Sequence, residues 1–137
     1  MKEEEILRKY QLGERDFKQI NLSQAVFCGA NLSAINFSQA ILAQANLKGS
    51  NLSQALLTEA NLSQALLTEA DLTEASLEKA ILYRAVMQLS NLSRAVLTKA
   101  DLREVNLSEA LLYQVSLRKA QLQKAKLSQA ILLRAFL

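Results

Sequence analysis

A chain without histidine can run neither a histidine-based catalytic triad nor most zinc chemistry, and this chain of 137 residues has none. Its one thiol, Cys28, cannot close an internal disulfide. No general base stands ready to activate it, so it reads as a free surface thiol. Carboxylates gather at Glu59, Glu69, Asp71, Glu74 and Glu78. Acid–base work would require a cleft that shifts their pKa values, and the pattern below offers convex walls instead. Gly13, Gly29 and Gly49 form no phosphate-binding loop. The expectation is a protein that is not an enzyme and holds no metal and no cofactor.

Charge is the next resource. Residues 1–78 carry 6 basic and 10 acidic groups, net −4, and residues 79–137 carry 10 basic and 3 acidic groups, net +7. Lys79, Lys99 and Lys119 are spaced by 20 with Arg118 beside the last. Outward apolar residues gather late, at Leu89, Tyr113 and Leu133, and the sequence runs into Phe136 and Leu137. The candidate partner surface is therefore Lys79, Lys99, Lys119, Arg118, Tyr113, Leu133, Phe136 and Leu137. Asn31, Asn51, Asp71 and Asn91 are also spaced by 20 and predict a stacked polar ladder that serves turns and inter-coil hydrogen bonds.

These residues must be positioned by a repeat of five. Every fifth residue from Leu7 to Leu137 is apolar: 23 Leu, 3 Phe and Met87 over 27 positions. From Phe27 onward the residue two before each is alanine, except at Ile35, Ser50, Ser90, Val105 and Val115. Asn51–Ala60 recurs letter for letter as Asn61–Ala70. On an α-helix each step of five advances about 140°, which smears the leucines around the axis. In a strand an odd step sends them to alternate faces. A coil that turns one corner per repeat returns the same position inward each time.

The motif Ala-(Asn/Asp)-Leu-x-x, as in Ala30-Asn31-Leu32-Ser33-Ala34 and Ala70-Asp71-Leu72-Thr73-Glu74, resembles that of the pentapeptide-repeat family, over about nine-tenths of the chain. The resemblance implies an all-β fold, a right-handed quadrilateral β-helix of 20-residue coils, with the central Leu/Phe and the small residue inward. Residues 16–137 then give about six coils, roughly 29 Å long at about 4.8 Å per coil. Residues 1–15 are expected to form a helical cap and junction: a helix over Glu3–Leu12 with an acidic first turn, then Gly13 as C-cap. Gly13-Glu14-Arg15-Asp16-Phe17 looks like the junction common in cyanobacterial members. Phe17, Phe27 and Phe37 fill the first coils, and Gly29 and Gly49 sit one above the other at a turn.

Residues 1–10 are too charged for a signal peptide. The long uncharged stretch Gln19–Leu47 carries too many amides for hydrocarbon. The expected setting is cytoplasmic. The expected function is a non-catalytic scaffold for protein–protein interaction, of a regulatory kind. The alternatives are a DNA-mimic modulator of DNA gyrase, which the basic C-terminal half disfavours, and weak nucleic-acid binding through the lysine column. The partner is expected to be another protein, or a second copy through the C-terminal coil, and not a membrane.

Overall fold

The computed structural model describes residues 2–137; Met1 of the expected cap lies outside them. From Asp16 onward the chain winds so that residue i pairs in parallel with residue i+20, from Asp16 with Asn36 to Ser116 with Phe136. Each pairing is a single bridge rather than a continuous strand, because a turn follows every three residues. Four turns per 20-residue coil make four walls. Each wall is named by its paired column: wall 1 by Asn36, Leu56 and Val96, wall 2 by Asn21, Ile41 and Ile81, wall 3 by Val26, Asn46 and Leu66, wall 4 by Asn31, Asn51 and Asp71.

The repeat Ala60–Gln64 shows why five residues make one side. Leu62 and Ala60 point inward and are fully buried. The Leu62 amide donates to Ile81 O in the next coil at 2.7 Å, and the Asn61 amide to Ala40 O in the preceding one at 2.9 Å. Gln64 turns the corner with φ +58°, and the Ala65 amide closes it on Leu62 O at 3.0 Å. A positive φ at the third of four turn residues is the type II arrangement. Twenty-two non-glycine residues and Gly29 and Gly49 occupy this position. A left-handed residue with a Cβ costs roughly 1–2 kcal/mol, so the stack must outweigh a strain repeated at every corner. Each buried leucine contributes about 2 kcal/mol, and the Asn61 side chain adds an Asx turn, accepting from the Ser63 amide at 3.0 Å and its hydroxyl at 2.7 Å.

The same Asx bond recurs at Asn31, Asn51, Asp71 and Asn91. These residues do stack in one column and do serve turns. Only the inter-coil part of the expectation is corrected, because among the described residues their side chains bond within their own repeat and not coil to coil. The amide ladder lies elsewhere, where Gln24 Nε2 donates to Gln44 Oε1 and Gln44 Nε2 to Gln64 Oε1, both at 2.9 Å. Gly29 and Gly49 do sit at turns, with φ +69° and +66°, but their corners are the ones that every repeat makes without glycine.

The core is one stack. The central residues from Leu32 to Leu112 are at most 1% exposed, and the aromatic start is continuous, with Phe37 6.4 Å from Phe17 and 6.2 Å from Phe27 between ring centroids. Ser50 and Ser90 enter the alanine column and are satisfied there, each hydroxyl donating to the carbonyl three residues back. In the last coil Leu122, Leu127 and Leu132 are only half-buried.

Helix α1 spans Glu3–Gln11, one residue shorter than the sequence pattern predicts, with Leu12 as C-cap. Glu3, Glu4 and Glu5 oppose the positive end of its dipole, and Arg8 and Lys9 lie in its last turn. Gly13, at φ +99°, donates to Tyr10 O and Glu14 to Lys9 O, both at 3.0 Å. That pair of bonds is a Schellman motif, which needs a left-handed residue after the C-cap. Ile6 is fully buried in the core cluster, and Tyr10 donates its hydroxyl to Ser33 O at 2.8 Å. Among the described residues no helix is long and apolar enough to cross a membrane.

Candidate functional site

The register places the expected surface residues around wall 1. One bounding corner carries Glu78/Lys79, Thr98/Lys99 and Arg118/Lys119; the other carries Tyr113/Gln114 and Leu133/Arg134. Phe136 lies between them in the wall's paired column, 49% exposed, and the Arg118 guanidinium stands 5.4 Å from its ring centroid. Lys79, Lys99 and Lys119 form one exposed column. Leu137 follows Phe136 and is exposed. The eight residues therefore fall into a basic edge, an apolar centre and an apolar–basic opposite edge.

Charge pairing sharpens this picture. Of the ten basic residues after position 78, only Arg84 and Arg103 pair with an acid among the described residues: Arg84 with Glu104 at 3.3 Å and Arg103 with Asp101 at 2.7 Å. Both pairs lie on walls 2 and 3. The Arg103 hydrogen bonds hold the Asp101 carboxyl below its ordinary value. Glu104 is likewise lowered, first by the Tyr83 hydroxyl and then by Arg84, and the same contact with Glu104 raises Tyr83. Tyr83 is flanked by guanidiniums, Arg84 at 5.0 Å and Arg103 at 5.4 Å. Among the described residues the cations bordering wall 1 have no such partners.

Sequence reasoning missed two features. Wall 4 exposes Leu111 and Ile131 beside Leu133, a wider apolar strip than Tyr113 and Leu133 alone. The signal was present, since aliphatic residues replace asparagine in that column only at 111 and 131. The second corrects the expectation of purely convex walls. A cavity of about 440 Å³ opens between α1 and the first coils, lined by Leu7, Tyr10, Gln11, Arg15, Ala30 and Asn31. Its lining contains no carboxylate and no thiol. No group of three or more acidic or thiol side chains that could hold a metal ion occurs among the described residues.

The family model for pentapeptide repeats matches residues 20–58, 50–88 and 90–132 in 8 copies. The chain belongs to the pentapeptide-repeat family. Its fold is similar to that of HetL, a pentapeptide-repeat protein involved in heterocyst differentiation regulation from the cyanobacterium Nostoc sp. strain PCC 7120: TM-score 0.65, 28% identity, over 100% of this chain and 95% of that one. It is similar to Rfr23 from the cyanobacterium Cyanothece 51142 at TM-score 0.66 and 26% identity, over 90% and 95% of the two chains. The pentapeptide-repeat protein alr5209 from Nostoc PCC 7120 shares 34% identity over 77% of this chain and 80% of its own, at TM-score 0.47. The likeness to HetL and Rfr23 implies that the four-walled coil is a right-handed quadrilateral β-helix. No curated protein matches the chain.

Proposed function

We propose that this pentapeptide-repeat protein is a non-catalytic, regulatory scaffold that binds an acidic surface of another protein through the C-terminal half of wall 1. One observation carries the reading. Phe136 is a half-exposed aromatic set among Arg118, Lys119 and Arg134, none of which has an acidic partner among the described residues. Interfaces concentrate their energy in aromatic and arginine anchors of this kind. The unpaired charges around it attract an acidic partner and speed its encounter. Helix α1 serves the scaffold as the cap of its N-terminal end, with Ile6 and Tyr10 as the plugs.

The charge argument disfavours a DNA mimic, which needs an acidic surface, as in the sequence reading. Nucleic-acid binding gains little: Tyr83 is already flanked by arginines, and no aromatic interleaves the lysine column to stack bases. The test is a photo-crosslinker at position 136 in extracts of the native cell. Arg118→Glu with Lys119→Glu should abolish the crosslinked protein, while Lys48→Glu on a remote corner should leave it. Equal crosslinking in all three would sink the proposal. A crosslink only to a second copy would reassign the surface to self-association.

A further inference from the structure

The cavity at the junction of α1 and the coil is separate from wall 1 and independent of the function proposed there. Its position follows from the sequence. The Schellman turn at Gly13 reverses the chain, and Arg15 is the last residue before the first bridge. The Arg15 carbonyl accepts from the Asn36 amide at 2.7 Å, which ties its backbone to the first coil.

Three contacts hold the Arg15 side chain. Its guanidinium carbon lies 3.7 Å from the Tyr10 ring centroid, a cation–π stack at close range. NH1 donates to Tyr10 O at 2.8 Å and to Glu14 O at 2.9 Å, which uses both of its hydrogens. The Nε–NH2 side has no protein acceptor among the described residues, and Arg15 pairs with no acid there, although Glu14 and Asp16 are its neighbours in sequence. Asp16 instead lies 3.9 Å from Lys18.

A guanidinium with one side saturated and the Nε–NH2 side open is a two-pronged donor whose geometry matches a carboxylate. Asn31 adds to it: its Oδ1 accepts from the Ser33 amide at 3.2 Å, which leaves Nδ2 as a donor. Leu7 and Ala30 contribute apolar lining, and Gln11 a further amide. The volume is of the size that small-molecule sites occupy, and the lining mixes polar and apolar groups in a recess half open to solvent.

We propose that this cavity binds a small carboxylic acid with an apolar body, with the carboxylate on Arg15 and Asn31 and the body against Leu7 and Ala30. A free organic acid and the terminal carboxylate of a peptide share this chemistry. Calorimetric titration of the full chain with phenylacetate, with phenylacetamide, and with short peptides ending in leucine as free acid or C-terminal amide separates the two sources. The expected result is saturable binding of phenylacetate, or of the free-acid peptide, and at least tenfold weaker binding of the matching amide.

Asn31→Asp is the informative variant. Aspartate already occupies the same repeat position at Asp71 and Asp101, so the coil accepts it. The new carboxylate would face the ligand's charge and compete for Arg15, and should weaken binding at least tenfold with an unchanged melting temperature. Arg15→Gln should weaken it as much. If Arg15→Gln unfolds the junction, Asn31→Asp alone decides. No saturable binding of any acid, equal binding of acid and amide, or binding unmoved by Asn31→Asp would each overturn the proposal.

Discussion

The left-handed turn residue is where a single side chain most directly meets the backbone. Gln64, at φ +58°, stands for 22 non-glycine residues in that conformation, and none of the 22 is β-branched. Branching at Cβ crowds the backbone most where φ is positive. Gln64→Val should therefore destabilise by roughly 1–3 kcal/mol, read as a lower denaturation midpoint, whereas Gln64→Gly should be near neutral because relieved strain offsets added chain entropy. A second residue-scale expectation concerns Asp101. Its folded pKa lies below the ordinary 3.8 because Arg103 bonds the ionised form. A depressed carboxyl pKa stabilises the fold at pH values above the unfolded value, and that contribution is lost as pH falls through the folded one. Asp101→Asn should lower the urea midpoint slightly at neutral pH, since such pairs contribute little, and flatten the acid limb below about pH 4, so that the variant and the unaltered chain converge in acid. An acid limb identical to that of the unaltered chain would show that Arg103 does not bias this group.

At the scale of the element, helix α1 and the coil are read from different signals. Glu3, Glu4, Glu5, Ile6, Tyr10 and Gly13 announced a capped helix, and its end shifted by one residue because Leu12 is the C-cap. The leucine and alanine columns announced which side chains turn inward. The left-handed conformation was not legible at Gln, Glu or Lys, which carry no preference for it; only Gly29 and Gly49 hinted at the corner. The cavity and the Arg15–Tyr10 stack were also out of reach. They depend on how a rigid helix docks on a rigid coil, and periodicity fixes inward and outward but not docking. That docking predicts a measurable asymmetry. Ile6→Ala should cost about 2–5 kcal/mol, the usual range for a fully buried isoleucine. Tyr10→Phe removes only the bonds to Ser33 and should cost about 1 kcal/mol. Hydrogen exchange would localise both losses to the first coils, and a loss spread evenly to residue 137 would contradict nearest-neighbour stacking.

At the scale of the whole molecule, position along the chain modulo 20 decides the wall, and modulo 5 decides inside from outside. The two rules separate cleanly in the duplicated segment. Deleting residues 51–60 removes one of two identical decapeptides and keeps every leucine inward, yet it rotates all later walls by half a turn against the first coils. The shortened chain should fold, with a β-type circular dichroism spectrum and a lower midpoint, and should break the Gln44–Gln64 bond. Deleting residues 51–53 breaks the period of five and should not fold. The ladder has a further consequence for the molecule's two ends. In each repeat two amides donate toward the C-terminal end, as Leu62 to Ile81 and Gln64 to Tyr83, and one toward the N-terminal end, as Asn61 to Ala40. The peptide dipoles therefore fail to cancel along the stack. Each peptide unit carries about 3.5 D, so the backbone is polarised with its positive sense toward the half where the side chains are already basic. The solenoid carries an axial field that no surface substitution can erase.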